Sequence, residues 1–273
     1  MLILGIETAS VQVGCAIGGH EGVLASFHAA RRRRHVEALV PSIEFVCQQA
    51  GVELSELGAI AVDIGPGLFS GLRVGVTTAK TLAQALRLPM VGVSSLDLLA
   101  FAARYSNRLI VPAIDARRGE LFYGFYRQVP GGVQCLTGNQ VGKPSDLVSE
   151  LLARGEDALL VGDGALRYQE DFDAVAPGEV AGPPNVHPSA SALVALAHAR
   201  ALREEFVSPS RLEPLYLRRT DAEINWEATA GWGREPRRVP APLGEDTGDD
   251  TGEDTGDDTG EDTGDDGPVA EAG

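Results

Sequence analysis

An apolar run, a glycine-rich turn and a helix-patterned segment follow one another without a spacer in "LGAIAVDIGPGLFSGLRVGVTTAKTLAQAL", Leu57 to Leu86. The apolar run reads as a buried strand, and its direct continuation into a helix points to a layered α/β fold. The turn "GPGLFSG" has the composition of a loop that offers backbone N–H groups to a phosphate at a helix N-terminus. It lacks the Gly-Lys-Ser/Thr of a P-loop and the Gly-x-Gly-x-x-Gly order of a dinucleotide turn, so a loop that only positions the helix fits equally well. In the helix, Gly71, Gly75, Ala79 and Ala83 recur every four residues on one face. Glycine there costs about 1 kcal/mol relative to alanine, so the stripe marks a close approach. The neighbour is either the chain's own core or a helix of another protein.

Ahead of this stretch, "LILGI", "VQVGCAI" and "GVLASFHAA" are short β-rich runs separated by "ETAS" and "GGHEG", the pattern of an antiparallel meander. "HVEALVPSIEFVCQQAG" has helical spacing and stops at Gly51; Pro41 belongs in its first turn or else kinks it. "MVGVS" and "SLDLLAFAARY" add a strand and a helix. Three meander strands followed by alternating helix and strand is the order of a ribonuclease-H-like α/β unit. A second set begins at Arg108. "RLIVPAIDA", "ELFYGFYRQ" and "GVQCLTGNQV" are strand-like, and "PSDLVSELLARG" is a helix entered through Pro144 and Ser145. "ALLVGDG" is a strand ending in a turn, and "SASALVALAHARALREEF" is a helix capped by Ser189. The expected organisation is a first lobe over 1–105, a smaller second lobe over 106–230 and a tail over 231–273.

With 273 residues, 44% of them hydrophobic, the chain can bury a sizeable core. No apolar run reaches the roughly eighteen residues of a membrane span, and "MLILGIETAS" lacks the basic flank of a secretion signal. Cys15, Cys47 and Cys135 lie far apart without metal-ligand spacing, which leads to an expectation of a cytoplasmic protein with reduced, mostly buried thiols. The net charge of −16 sits mainly in the tail: 13 acidic and no basic residues follow Gly244, leaving −3 for residues 1–244. That balance gives no basic surplus pointing to nucleic acid. The tail repeat "EDTGDDTG" has no apolar position from which to build a core. Disorder is therefore expected over a calcium-binding array. Truncation after Leu243 is expected to leave the melting temperature unchanged, which scanning calorimetry checks.

"ILGIETA", "DIGPGLFSGLRVGVTTAKTLA", "VGVSSLDLLA", "PAIDARRGELFYGFY" and "LLVGDGA", in that order, resemble TsaB, the dimerisation subunit of the bacterial machinery that makes threonylcarbamoyladenosine in tRNA. The resemblance runs from Leu2 to about Arg219. It implies two ribonuclease-H-like lobes of the actin-like, sugar-kinase-like ATPase architecture, the second reduced, and a non-catalytic scaffold that pairs with the catalytic relative TsaD and works with the ATPase TsaE. It also implies a possible homodimer, tRNA reached through the complex, and no role at a membrane. In TsaD a His-x-x-x-His pair binds the active-site metal. Here Ser95 and Leu99 fall at those positions, so no metal is expected, and His20, His28, His35, His187 and His198 form no such pair. A vestigial nucleotide site would involve Glu7, Thr8, Ser10, Gly65 and Gly67, with ATP or ADP possible at the TsaD interface and no cofactor required by this chain. Asp163 in "GDG" reads as a surface turn. Asp115, Arg117, Arg118 and Glu120 read as a polar site or a charged hairpin connection. The expected partner face comprises Val36, Leu39 and Ile43 on the first helix, and Gly71, Leu72, Gly75, Val76, Ala79 and Ala83 on the second. The rivals are an actin-fold ATPase or kinase and a glycoprotease-like metallopeptidase.

Overall fold

The computed structural model describes residues 1–30, 35–173, 178–182 and 185–218; the acidic tail expected to be disordered lies outside them. The meander forms as β1 (Leu2–Glu7), β2 (Val13–Gly19) and β3 (Gly22–Ala29). It is followed by α1 (His35–Ala50), β4 (Leu57–Asp63), α2 (Phe69–Leu86), β5 (Met90–Val93) and α3 (Ser95–Ala102). The sheet order is β3-β2-β1-β4-β5, with β1 antiparallel to β2 and parallel to β4. Pro41 lies inside α1, beyond its first turn, and Gly51 ends that helix at a φ of 63°. Arg87, at a φ of 56°, caps α2, its N–H reaching the carbonyl of Ala83.

The second set contributes β6 (Leu109–Arg117), β7 (Glu120–Tyr123), β8 (Tyr126–Val129), β9 (Gly132–Cys135) and β10 (Gln140–Gly142). It continues with α4 (Pro144–Arg154), β11 (Ala158–Val161), α5 (Asp163–Arg167), α6 (Gln169–Asp173), β12 (Gly178–Val180) and α7 (Ala190–Ala201). Its sheet runs β10-β7-β6-β11-β12, with β8 beside β6 and β9 beside β8. With β8 and β9 set aside, the remaining strands of the second sheet read third, second, first, fourth, fifth, as in the first sheet, so β6 stands where β1 stands. The molecule is thus two ribonuclease-H-like lobes in the actin-like arrangement. The second lobe keeps the sheet but shortens its helices: α5 and α6 have five residues each.

The long helix α7, capped by Ser189 as expected, packs on the first sheet and not the second. Leu193, Ala197 and Ala201 meet Ile3, Ala59, Val91 and Val93 there. The first sheet is therefore covered by elements that precede and that follow the second set in the sequence, so a boundary at 105 does not separate the lobes as expected. Beyond α7 the segment 207–218 runs back across the first lobe. Val207 bridges Met90, the carbonyl of Leu212 accepts Lys80 Nζ at 3.0 Å, and Leu215 N–H donates to the carbonyl of Ile64 at 2.7 Å. Arg218 ends it on the second lobe, donating to the carbonyl of Ala116 and to Glu120.

On the opposite face of the first sheet, α1 and α2 close a core of Leu4, Ile6, Val13 and Val62. Here the expected partner face is corrected. Leu39, Ile43, Gly71, Leu72, Gly75, Val76, Ala79 and Ala83 are buried against the chain's own sheet, and Val36 alone of that set is exposed, at 73%. The small residues are needed for an internal approach. A Cβ on Gly71 would lie 2.0 Å from the backbone oxygen of Thr8, and one on Gly75 would lie 2.1 Å from Thr8 Oγ1.

Candidate functional site

In open α/β sheets ligands gather at the carboxyl ends of the central strands. The first sheet places a carboxylate at each of those ends. Ile6 pairs with Val62, so the next residues, Glu7 on β1 and Asp63 on β4, are neighbours across the parallel ladder. Both are fully buried. Glu7 accepts the N–H of Ser10 at 3.1 Å, and Asp63 Oδ1 accepts Ser95 Oγ at 2.6 Å and the N–H of Gly65 at 2.8 Å. The second oxygen of each, Glu7 Oε2 and Asp63 Oδ2, has no hydrogen-bond partner within the described residues. Burial pushes the Asp63 carboxyl up to about 7. Burial, then the charge of Asp63, also raises Glu7 well above the ordinary range.

A carboxyl group whose folded value is raised holds its proton more tightly folded than unfolded. Its contribution to stability is present at acid pH and is lost as pH climbs through the folded value, here between about 4 and 7 for Asp63. Asp63→Asn keeps the Oδ1 acceptor and removes the titration. It is expected to raise the melting temperature by several degrees at pH 8 and by much less at pH 5, read by calorimetry at the two values.

The second sheet repeats the arrangement with Asp115 on β6 and Asp163 just after β11. Asp115 is buried, yet Arg117 and Arg167 reach its Oδ2 at 3.0 and 2.8 Å. Its own backbone N–H donates to Asp163 Oδ1 at 3.1 Å. Asp163 is therefore partly buried in the cleft and does not occupy the expected surface turn; burial raises its carboxyl. His187 lines the same cleft, and burial lowers its imidazole while Asp163 opposes that shift. Asp115, Arg117, Arg118 and Glu120 do form a hairpin connection, and Asp115 within it also faces the cleft.

The cleft is closed where "ETAS" and "GPGLFSG" meet Asp115 and Asp163. "GPGLFSG" folds onto "ETAS": Leu68 N–H donates to the carbonyl of Ala9 at 2.7 Å, and a Cβ on Gly67 would lie 2.2 Å from the same oxygen. The remaining space is about 20 Å³, far below the roughly 300 Å³ at which small-molecule pockets begin. The five residues considered for nucleotide are held within the chain. Ser10 N–H is taken by Glu7, Thr8 Oγ1 donates to the carbonyl of Gly71 at 2.8 Å, and Gly65 and Gly67 shape the closed loop. Ser95 is buried on Asp63, and Leu99 is core. His35 meets the carbonyl of Ser10, and His28 Nε2 accepts the N–H of Ala190 at the start of α7, so both are structural. Among the described residues no group of three or more His, Cys, Asp or Glu is placed to hold a metal. Of the thiols, Cys135 is exposed and Cys15 buried, a more open arrangement than expected.

A separate groove of about 340 Å³ opens beside the closed loop. Phe69, Leu72, Phe122 and Tyr216 give it apolar walls, with Arg117 and Arg218 among the polar groups. Sequence reasoning singled out neither Phe69 nor Tyr216, because nothing in their local patterns places the two rings 5.3 Å apart.

The family model described as "TsaD: tRNA N6-adenosine threonylcarbamoyltransferase" matches residues 22–226. A Bacillus subtilis tRNA threonylcarbamoyladenosine biosynthesis protein TsaB is 31% identical over 83% of this chain and 98% of its own length. The chain belongs to the TsaB family. The Escherichia coli TsaB is 28% identical over 85% of the chain and 99% of its own length. A solved Pseudomonas aeruginosa structure, described as a protein with similarity to peptidase YEAZ, superposes with a TM-score of 0.72 at 28% identity, covering 80% of this chain and 99% of its own. Among the described residues no helix is long and apolar enough to cross a membrane.

Proposed function

We propose that this TsaB-family chain is a non-catalytic pairing subunit. It joins TsaD and, with TsaE, supports transfer of a threonylcarbamoyl group to the adenosine beside the anticodon of tRNAs reading codons that start with A. The observation that carries this reading is the closed cleft. Glu7 and Asp63 are buried beneath it with unpartnered oxygens, Asp115 is neutralised by Arg117 and Arg167, and the space lined by Ser10, Ser95, Asp115 and Asp163 is about 20 Å³. A chemical step needs space for a reacting group within hydrogen-bond reach of its catalysts. The small space at Asp115 and Asp163 supports placing the transfer on the partner.

The pairing surface moves from the buried stripe to the outward sides of the same two helices. On α1, Val36 and Val40 are 73% and 53% exposed and one turn apart. On α2 the exposed residues Ser70, Thr77, Thr81, Gln84 and Ala85 are uncharged, with Arg73 the exception. Glu37 and Glu44 are also exposed on α1, but on α2 the depletion of charge is the composition of an interface core. Size-exclusion chromatography of the chain mixed with TsaD from its own organism tests the reading: one co-eluting complex is expected, and separate peaks at micromolar protein overturn it. The chain alone is expected to hydrolyse no ATP above buffer in a phosphate-release assay. A turnover of about 1 per second, ordinary for a slow enzyme, contradicts the non-catalytic role.

A further inference from the structure

We propose that the groove beside the closed loop is a direct contact for single-stranded RNA, seating an unstacked base against Tyr216 with its phosphates on the surrounding arginines. The inference rests on the reading that this chain serves tRNA modification, and it adds a contact made by the chain itself. Three side chains form a contiguous cluster at the groove, with the Phe69 and Tyr216 rings tilted 42° to each other. The Arg73 guanidinium lies 4.0 Å over the Phe69 ring, and the Phe69 ring lies 5.3 Å from that of Tyr216. Tyr216 ends the cluster and is 46% exposed, so a further planar group extends it. Arginine layered on aromatic rings is the arrangement with which proteins hold unpaired bases irrespective of sequence.

The charges fit the same ligand. Residues 1–244 carry a net −3, yet Arg73, Arg117, Arg167 and Arg218 collect around this groove. The acids beside them, Asp115 and Glu120, are already engaged by Arg117, Arg167 and Arg218. Those pairs also engage Arg117, Arg167 and Arg218, so it is the excess of four arginines over these two acids that favours an anionic partner here. The backbone adds a third observation. Arg117 and Arg118 are both left-handed, at φ of 65° and 55°, immediately before Gly119. Two consecutive arginines are kept at positions where glycine or asparagine relieves strain, and such positions gather at ligand-binding sites. The groove's volume of about 340 Å³ is in the range of small-molecule pockets and takes one base with its sugar.

The test is fluorescence anisotropy of the full chain with a fluorescein-labelled oligoadenylate RNA, beside the same RNA in duplex form and free ADP. At low salt the single strand is expected to bind at roughly 10–100 µM, within the range of sequence-independent contacts. Tyr216→Ala is expected to weaken it at least about fivefold, Tyr216→Phe to preserve it, and the duplex to bind more weakly. Equal binding by Tyr216→Ala, preference for the duplex, or binding of ADP without RNA overturns the proposal. Photocrosslinking the unaltered chain to 4-thiouridine RNA provides a readout independent of folding. Crosslinked peptides that include Phe69 or Tyr216 support the groove, and crosslinks confined elsewhere sink it. Because the chain is measured alone, loss of RNA binding with TsaD pairing intact removes only this inference. The opposite outcome removes only the scaffold reading.

Discussion

Gly75→Leu is expected to unfold the first lobe or to lower its melting temperature by roughly 6–12 °C, corresponding to a loss of about 3 kcal/mol or more. Even a Cβ at this position meets Thr8 Oγ1 at 2.1 Å, with Thr8 Cβ at 3.4 Å and Ile6 Cγ2 at 3.6 Å behind it. Thr8 cannot swing aside without giving up its hydrogen bond to the carbonyl of Gly71. Leucine adds three further carbons to a contact that already excludes one, so α2 has to leave the sheet. Thr77→Leu serves as the control. It lies on the exposed side of the same helix, where substitutions usually stay within about 0.5 kcal/mol. Thermal unfolding of both variants by circular dichroism makes the comparison. Equal melting temperatures mean that the stripe does not pack on Thr8.

Val36→Glu combined with Val40→Glu is expected to do the reverse. Both side chains are mostly exposed, so the fold and melting temperature survive. Two charges placed in the apolar part of an interface have to be desolvated or leave it unpaired. Central interface residues typically cost more than 1 kcal/mol each when removed, and each 1.4 kcal/mol is tenfold in affinity. Pairing with TsaD is therefore expected to weaken about a hundredfold, read by isothermal titration calorimetry. Unchanged affinity moves the interface off α1.

The order of elements was legible because each signal is local. The meander is announced by alternation and short turns, α1 by helical spacing ending at Gly51, and α7 by Ser189. The packing partner of each helix is not local information. The amphipathic face of α7 shows that it covers a sheet, but not that it returns to the first one past the whole second lobe. Gly71, Gly75, Ala79 and Ala83 likewise signal a close approach without naming the neighbour. The nearest apolar sheet claims such a face before any partner can. Glu7, Gly65 and Gly67 entered as candidate nucleotide residues only through the resemblance. The closure around them depends on backbone bonds between Ala9 and Leu68, which no residue pattern encodes. Asp163 looked like a turn residue because Gly162 and Gly164 flank it. Its contact with Asp115 joins strands that are neighbours in the sheet but lie 48 residues apart in the sequence. The Phe69–Tyr216 pair was out of reach for the same reason, since the segment after α7 carries no regular period.

On the proposed reading, this chain is needed for the modification without performing it. Reconstitution with purified components measures that directly: unmodified tRNA and an activated threonylcarbamoyl donor, with TsaD, TsaE and this chain supplied together, singly or with one omitted, and nucleosides read by mass spectrometry. Threonylcarbamoyladenosine is expected from the full set, with a large drop when this chain is left out and none from this chain alone. Modification by the chain in the absence of TsaD, or full activity without the chain, would contradict it.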